Sequence, residues 1–231
     1  MVSCEQWVTP TFDAESWDTC VELWRLARYF GAPNRPASVS EERKFRLLVV
    51  AALRLVWAHI PNELRAVLEA IERFADHQDA TQLRESHAVA ERIFREGAIA
   101  ASNVAQIVMN AADGTVVTAY HPRWYKLMSS TANLSVADLD REQVESLHLK
   151  LFRDIFGNPF RPLTLDPAWL TSDVLALAQG IYADRAFDRM PILADALQDA
   201  GCDNADVLTH CRGPGPHVRG CWVVDLVLGK T

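Results

Sequence analysis

The chain has 231 residues and a formal net charge of −7, with 49% hydrophobic and 23% charged residues. That is the composition of a folded domain with a real core, not of a disordered segment. It also argues against a general nucleic-acid binder: four of the basic residues are lysines, they are scattered, and the densest basic group is Arg43, Lys44 and Arg46.

The longest apolar run, Leu47 to Leu53, is far too short to cross a bilayer. The opening MVSCEQWVTPTFD has neither the basic region nor the apolar run of an export signal, so a cytoplasmic location is expected. Five cysteines do not make a disulfide framework in a chain of this size. Length allows one large domain or two small ones. The sequence divides into an N-terminal helical region (1–120), a connector (121–139) and a C-terminal helical region (140–231), expected to pack as one unit.

In chain order, Glu5 to Phe30 reads as one or two amphipathic helices, with Trp17, Val21, Trp24 and Arg28 at helical spacing. Gly31, Pro33 and Pro36 stop them. Ser40 is the expected N-cap of an apolar helix running to His59, which Pro61 ends. Asn62 opens the next helix, with Leu64, Val67, Leu68, Ile71 and Phe74 inward, and Asp76 to Asp79 reads as a polar break. Ala80 to Ala112 is alanine-rich and helical. Thr115 to Tyr120 is the one β-branched run, but a lone strand has no partner, so an irregular segment is expected.

Asp140 and Gln143 form a capping box, and Gly157 before Asn158–Pro159 closes that helix. Asp166–Pro167 starts a turn of helix. Asp188 and then Asp203 or Asn204 are expected to cap two further helices, and Cys221 to Leu228 forms the last one. The fold class is therefore mainly α: an irregular multi-helix bundle with short Pro/Gly-rich connections and no substantial sheet.

The stretches DIFGNPFRP, LDPAWL, IYADRAFDRMPILADALQDAGC and HCRGPGPHVRGCWVVDLVLGK resemble the C-terminal signature of an expanded paralogous family of uncharacterised planctomycete proteins. The N-terminal half is similar more loosely, through Arg43–Lys44–Phe45–Arg46–Leu47. Where the family's helix continues into a pair of cysteines, this chain has Ala51–Ala52, so no role of that pair carries over. The resemblance implies no activity, catalytic residue or cofactor.

Chemistry concentrates in the tail. Cys202, His210, Cys211, His217 and Cys221 supply enough donors for a tetrahedral zinc ion. No CxxC pair exists, and Gly201 and Gly220 beside two of the cysteines suggest small thiols buried at close helix contacts. Cys221 with His217 and Asp225 could instead make an activated thiol. Arg212, His217, Arg219 and Trp222 are the candidate binding residues of the Pro/Gly turn, although Pro214 and Pro216 remove donors that an anion nest needs. Arg212 and Arg219 could equally pair with Asp206 and Asp225. Glu145 and His148 have the spacing of a di-iron helix but lack its second copy. The leading reading is a noncatalytic helical module with no metal or cofactor that binds a protein partner or itself. The alternative is a zinc protein or small enzyme built on the Cys/His cluster.

Overall fold

The structure is a computed structural model, and it describes residues 13–30, 38–77, 80–96, 104, 106–108 and 140–230. Among these residues every regular element is helical, and none is long and apolar enough to cross a membrane. The mainly α fold read from the sequence is the observed one. The Thr115–Tyr120 run and the 121–139 connector lie outside the described residues.

The helices are α1 (Ala14–Thr19), α2 (Leu23–Phe30), α3 (Val39–Arg54), α4 (Asn62–His77), α5 (Ala80–Glu96), α6 (Arg141–Phe156), α7 (Ser172–Asp184), α8 (Met190–Asp199), α9 (Ala205–Arg212) and α10 (Trp222–Val227). Single 3-10 turns at Trp57–His59, Pro167–Trp169 and Phe187–Arg189 link them.

Local chemistry explains most boundaries. Ser38, not Ser40, caps α3: its hydroxyl accepts from the Glu41 amide while the Glu41 carboxylate accepts from the Ser38 amide. The reason is the glutamate three residues on, which Ser40 lacks. Asp140 and Gln143 make the same reciprocal pair at α6. Gly157 ends α6 at a φ of +63°, and a Cβ there would sit 3.1 Å from the Trp222 ring. Asn204 caps α9, whereas α8 starts after a 3-10 turn with Pro191 in its first turn and no side-chain cap from Asp188. The expected helix through Val21 breaks instead at Cys20–Glu22, which leaves Val21 exposed.

Three apolar clusters make the core. The first joins Trp17, Leu26, Phe45, Leu48 and Ala52 to Leu151, Phe152 and Ile155, so α6 packs into the N-terminal helices. Phe152 and Phe156 stack there, at 4.5 Å between centroids. The second packs α3, α4 and α5 through Val50, Leu53, Leu64, Leu68, Ile71 and Ala90. The third gathers α7 to α10 around Tyr182, Met190, Leu193, Leu197, Val223 and Val224.

The seam between these clusters is polar. Asp76, read from sequence as part of a polar break, lies in the last turn of α4 with its side chain 1% exposed. It accepts from Arg43 Nη2 at 3.1 Å, from Arg219 Nη2 at 2.8 Å and from the Tyr182 hydroxyl, and Lys230 Nζ lies 3.5 Å away. Arg43 also bonds both oxygens of buried Asp225. One turn back on α4, Glu72 pairs with Arg54 and with Arg185 of the α7 C-cap. Burial disfavours the Asp76 charge. The Tyr182 hydrogen bond and the Arg219, Lys230 and Arg43 charges outweigh it and hold the carboxyl below the usual range.

Candidate metal centre

Asp154 sits in the last turn of α6, on the face that Leu151 and Ile155 bury. His210 lies in α9, His217 in the Pro/Gly turn after it, and Cys221 is the N-cap residue of α10. Four segments thus bring one side chain each to a common point. One donor atom from each of Asp154, His210, His217 and Cys221 lies within 4.8 Å of all the others.

The contacts share atoms. Asp154 Oδ1 meets His217 Nδ1 at 2.7 Å and His210 Nε2 at 3.1 Å. The same His210 Nε2 lies 3.2 Å from Cys221 Sγ. Asp154 Oδ2 accepts from the Val218 amide at 2.9 Å, which fixes the carboxylate in place. The side chains of Asp154 and His217 are 3% and 8% exposed, that of His210 19%, and Cys221 is fully buried. His217 Nε2 is buried without a hydrogen-bond partner. Gly220 lets the turn come close: its φ is +95°, and a Cβ would lie 2.8 Å from Leu47 Cδ1.

Electrostatics follow from this crowding. Burial works against the Asp154 charge, but hydrogen bonds from His210 and His217 hold its carboxyl below the usual range. Burial also works against a charged His217, yet Asp154 raises that ring above its ordinary value. Cys221 is pushed well above a normal thiol by burial and by the Asp154 charge. Without a cation, Cys221 is therefore a protonated, inert thiol.

A catalytic relay is not what these contacts describe. A thiol–imidazole–carboxylate chain uses the two nitrogens of one ring, one toward each neighbour. Here a single nitrogen of His210 faces both the sulfur and the carboxylate, so the donors converge instead of passing a proton along. Bond lengths of about 2.0–2.3 Å to zinc place tetrahedral ligands about 3.3–3.6 Å apart. To reach that spacing the contacts of 2.7–3.2 Å lengthen by about half an ångström, and separations toward the 4.8 Å limit close by about one.

Of the residues singled out from sequence, the structure brings together His210, His217 and Cys221. Cys202 and Cys211 are buried in the third core cluster and outside the donor group. Burial pushes the Cys211 thiol up to about 12. Asp225 faces Arg43, not His217. Arg212 pairs with Asp195 and Gln198 instead of Asp206. Arg219 pairs with Asp76 instead of Asp225, with its guanidinium 4.6 Å from the Tyr182 ring centroid. Trp222 packs on the His210 ring, 5.1 Å between centroids. His148 is buried against the Val144 carbonyl in its own helix. Asp154 is the member that sequence reasoning missed. Its signal is a carboxylate on the apolar stripe of Leu147, Leu151 and Ile155.

No family model, curated protein or solved structure matches this chain.

Proposed function

We propose that the protein is a zinc-binding helical protein in which Asp154, His210, His217 and Cys221 hold the ion as a closed structural site. The observation that carries this reading is the convergence of four buried donors from four chain segments on one point, with His210 Nε2 facing two of them. One carboxylate, one thiolate and two neutral imidazoles neutralise a divalent cation, which suits a site sealed from water. Asp154, His210 and His217 alone would be the two-histidine, one-carboxylate set that iron oxygenases use with open positions. Cys221 fills a fourth position with a soft donor, which favours zinc. The Val218 amide on Asp154 Oδ2 is the outer contact that orients a metal-bound carboxylate.

A closed four-ligand site performs no bond-making step of its own; it stabilises the fold. Here it ties α6, rooted in the N-terminal core, to α9, the Pro/Gly turn and α10. The rigid body so made suits the role of an adaptor for a protein partner or for a second copy of itself. The free thiols of Cys20, Cys202 and Cys211 suit a reducing, cytoplasmic setting.

The test is native mass spectrometry of protein purified without a histidine tag or chelator, with elemental analysis to name the metal. The expected result is one zinc per chain, lost in Cys221→Ala and in Asp154→Ala but retained in Cys202→Ala. An apo mass after growth with zinc, or zinc that survives both ligand substitutions, overturns the reading. The oligomer peaks in the same spectra test self-association.

A further inference from the structure

Beside the metal centre lies a second feature that the zinc reading does not use. A cavity of about 460 Å³ opens between α1, the end of α6 and α10, within the size range of small-molecule pockets. His210 and Trp222 line it, but Asp154, His217 and Cys221 do not, so the metal centre lies behind the His210 ring. Its other walls are aromatic and aliphatic, chiefly Trp17, Phe156 and Leu163.

The charges around the cavity are mostly spoken for. Arg161 holds Asp18 and Asp206, at 3.0 and 3.6 Å. Asp225 is held from behind by Arg43. Arg153 donates from Nε and Nη2 to the main-chain carbonyls of Trp17 and Cys20, and among the described residues no carboxylate bonds it directly, although the Asp18 charge acts on it. Lys44, on α3, is half-buried and has no hydrogen bond or ion pair among the described residues. Asp225 and Glu41 act on its charge from beyond contact distance, yet burial still disfavours the ammonium, and a bound anion in direct contact would offset that cost.

We propose that this cavity binds a small monocarboxylate with an aromatic or branched apolar body, its carboxylate held by Lys44 and its body seated between Trp17, Phe156 and Trp222. The available donors select a monoanion: Lys44 is the one lining ammonium or guanidinium whose donors are unused among the described residues, since Arg153 and Arg161 spend theirs on carbonyls and on Asp18 and Asp206. Partly exposed Trp222 supplies the stacking face for an apolar body, while Trp17 and Phe156, held in the core, present only their edges. This binding does not rest on the metal: Lys44 and the α1 and α6 walls are outside the zinc site.

The test is a titration of the full chain, followed by calorimetry and by tryptophan fluorescence, to which Trp17 and Trp222 contribute among seven tryptophans. The probes are acetate, benzoate, phenylacetate and indole-3-acetate, each beside its neutral amide, with phenyl phosphate as the dianion. Metal content is measured on every sample, so loss of zinc and loss of ligand binding are read separately. The expected result is saturable binding of at least one aromatic acid, about tenfold or more tighter than its amide and than phenyl phosphate. Lys44→Met is expected to weaken the acid about tenfold and leave the amide unchanged, and Lys44→Arg to keep most of the affinity. No saturable binding by any of the acids overturns the proposal. So does equal binding of acid and amide, tighter binding of phenyl phosphate, or a Lys44→Met protein with wild-type affinity.

Discussion

Replacing Asp76 with asparagine keeps the shape of the side chain and removes one charge. In the wild type that charge faces Arg43, Arg219 and Lys230 at 3.1, 2.8 and 3.5 Å and is almost wholly excluded from solvent. The amide can still accept from Tyr182, so the loss is chiefly electrostatic. Among the described residues, three cations then keep as counter-charges only Asp225, bonded to Arg43, and Glu72, which acts on Arg219. Breaking a buried ion pair from one side costs about 3–5 kcal/mol. In a chain of this size each kcal/mol moves the melting point by about 2–4 °C, so Asp76→Asn is expected to melt about 6–20 °C lower. Urea denaturation followed by circular dichroism gives the free energy directly, with an unchanged denaturant slope expected. A second substitution, Arg219→Met, removes one stranded cation, and the double variant should regain part of the loss as a coupling of about 0.5–3 kcal/mol. A loss below about 1 kcal/mol, the size of a surface pair, would refute the reasoning, because it would mean that water screens the network.

The remaining expectations concern pH, metal and packing. The Asp76 carboxyl is held below its ordinary value, so its contribution is complete above about pH 4, where the unfolded carboxyl ionises, and is lost as pH falls through the lower folded value. Stability measured from pH 5 downward should therefore fall less steeply in Asp76→Asn than in wild type. Zinc uptake should release the Cys221 thiol proton, and His217, whose ring Asp154 raises, adds to the release wherever that ring is charged, so affinity rises with pH. Calorimetry in buffers of different ionisation enthalpy counts those protons, and a value near zero excludes Cys221 as a ligand. Gly220→Ala places a methyl group 2.8 Å from Leu47 Cδ1 at a φ of +95°. It should cost about 2–4 kcal/mol by thermal or urea unfolding, and a neutral result would show that the turn stands farther from α3. Cys211→Ala should lose stability and keep its zinc, since Cys211 is core and not ligand.

What the sequence made legible was local. Asp140 with Gln143, Asp166 before Pro167 and Gly157 before Asn158–Pro159 each act within four residues, and each appears in the structure where it was read. The Ser38–Glu41 box was equally local, but Ser40, nearer the acidic pair, masked it. The two histidines and the cysteine of the candidate metal centre were visible because they fall within twelve residues. Asp154 was not, because it stands 56 positions before His210 and looks like the surface acid of an amphipathic helix. The partners of Arg212 and Arg219 illustrate the same limit. Sequence offers nearby acids, Asp206 and Asp225, whereas the fold supplies Asp195 across a helix pair and Asp76 from 143 residues away. Pairings of that range follow from packing geometry, which composition and spacing do not encode.

The link between Arg43 and Asp225 spans 182 positions, and it bears on how the chain emerges during synthesis. Helices α3 and α4 are complete long before the ribosome reaches residue 219, so Arg43 and Asp76 can pair at once, but the chain then still lacks Arg219 and Asp225. An intermediate of the N-terminal helices lacks the second counter-charge of Arg43 and leaves that end of α3 hydrated. In vectorial synthesis the contact between α3 and the last helix is therefore among the last to form, and an N-terminal half made alone is expected to leave this edge exposed.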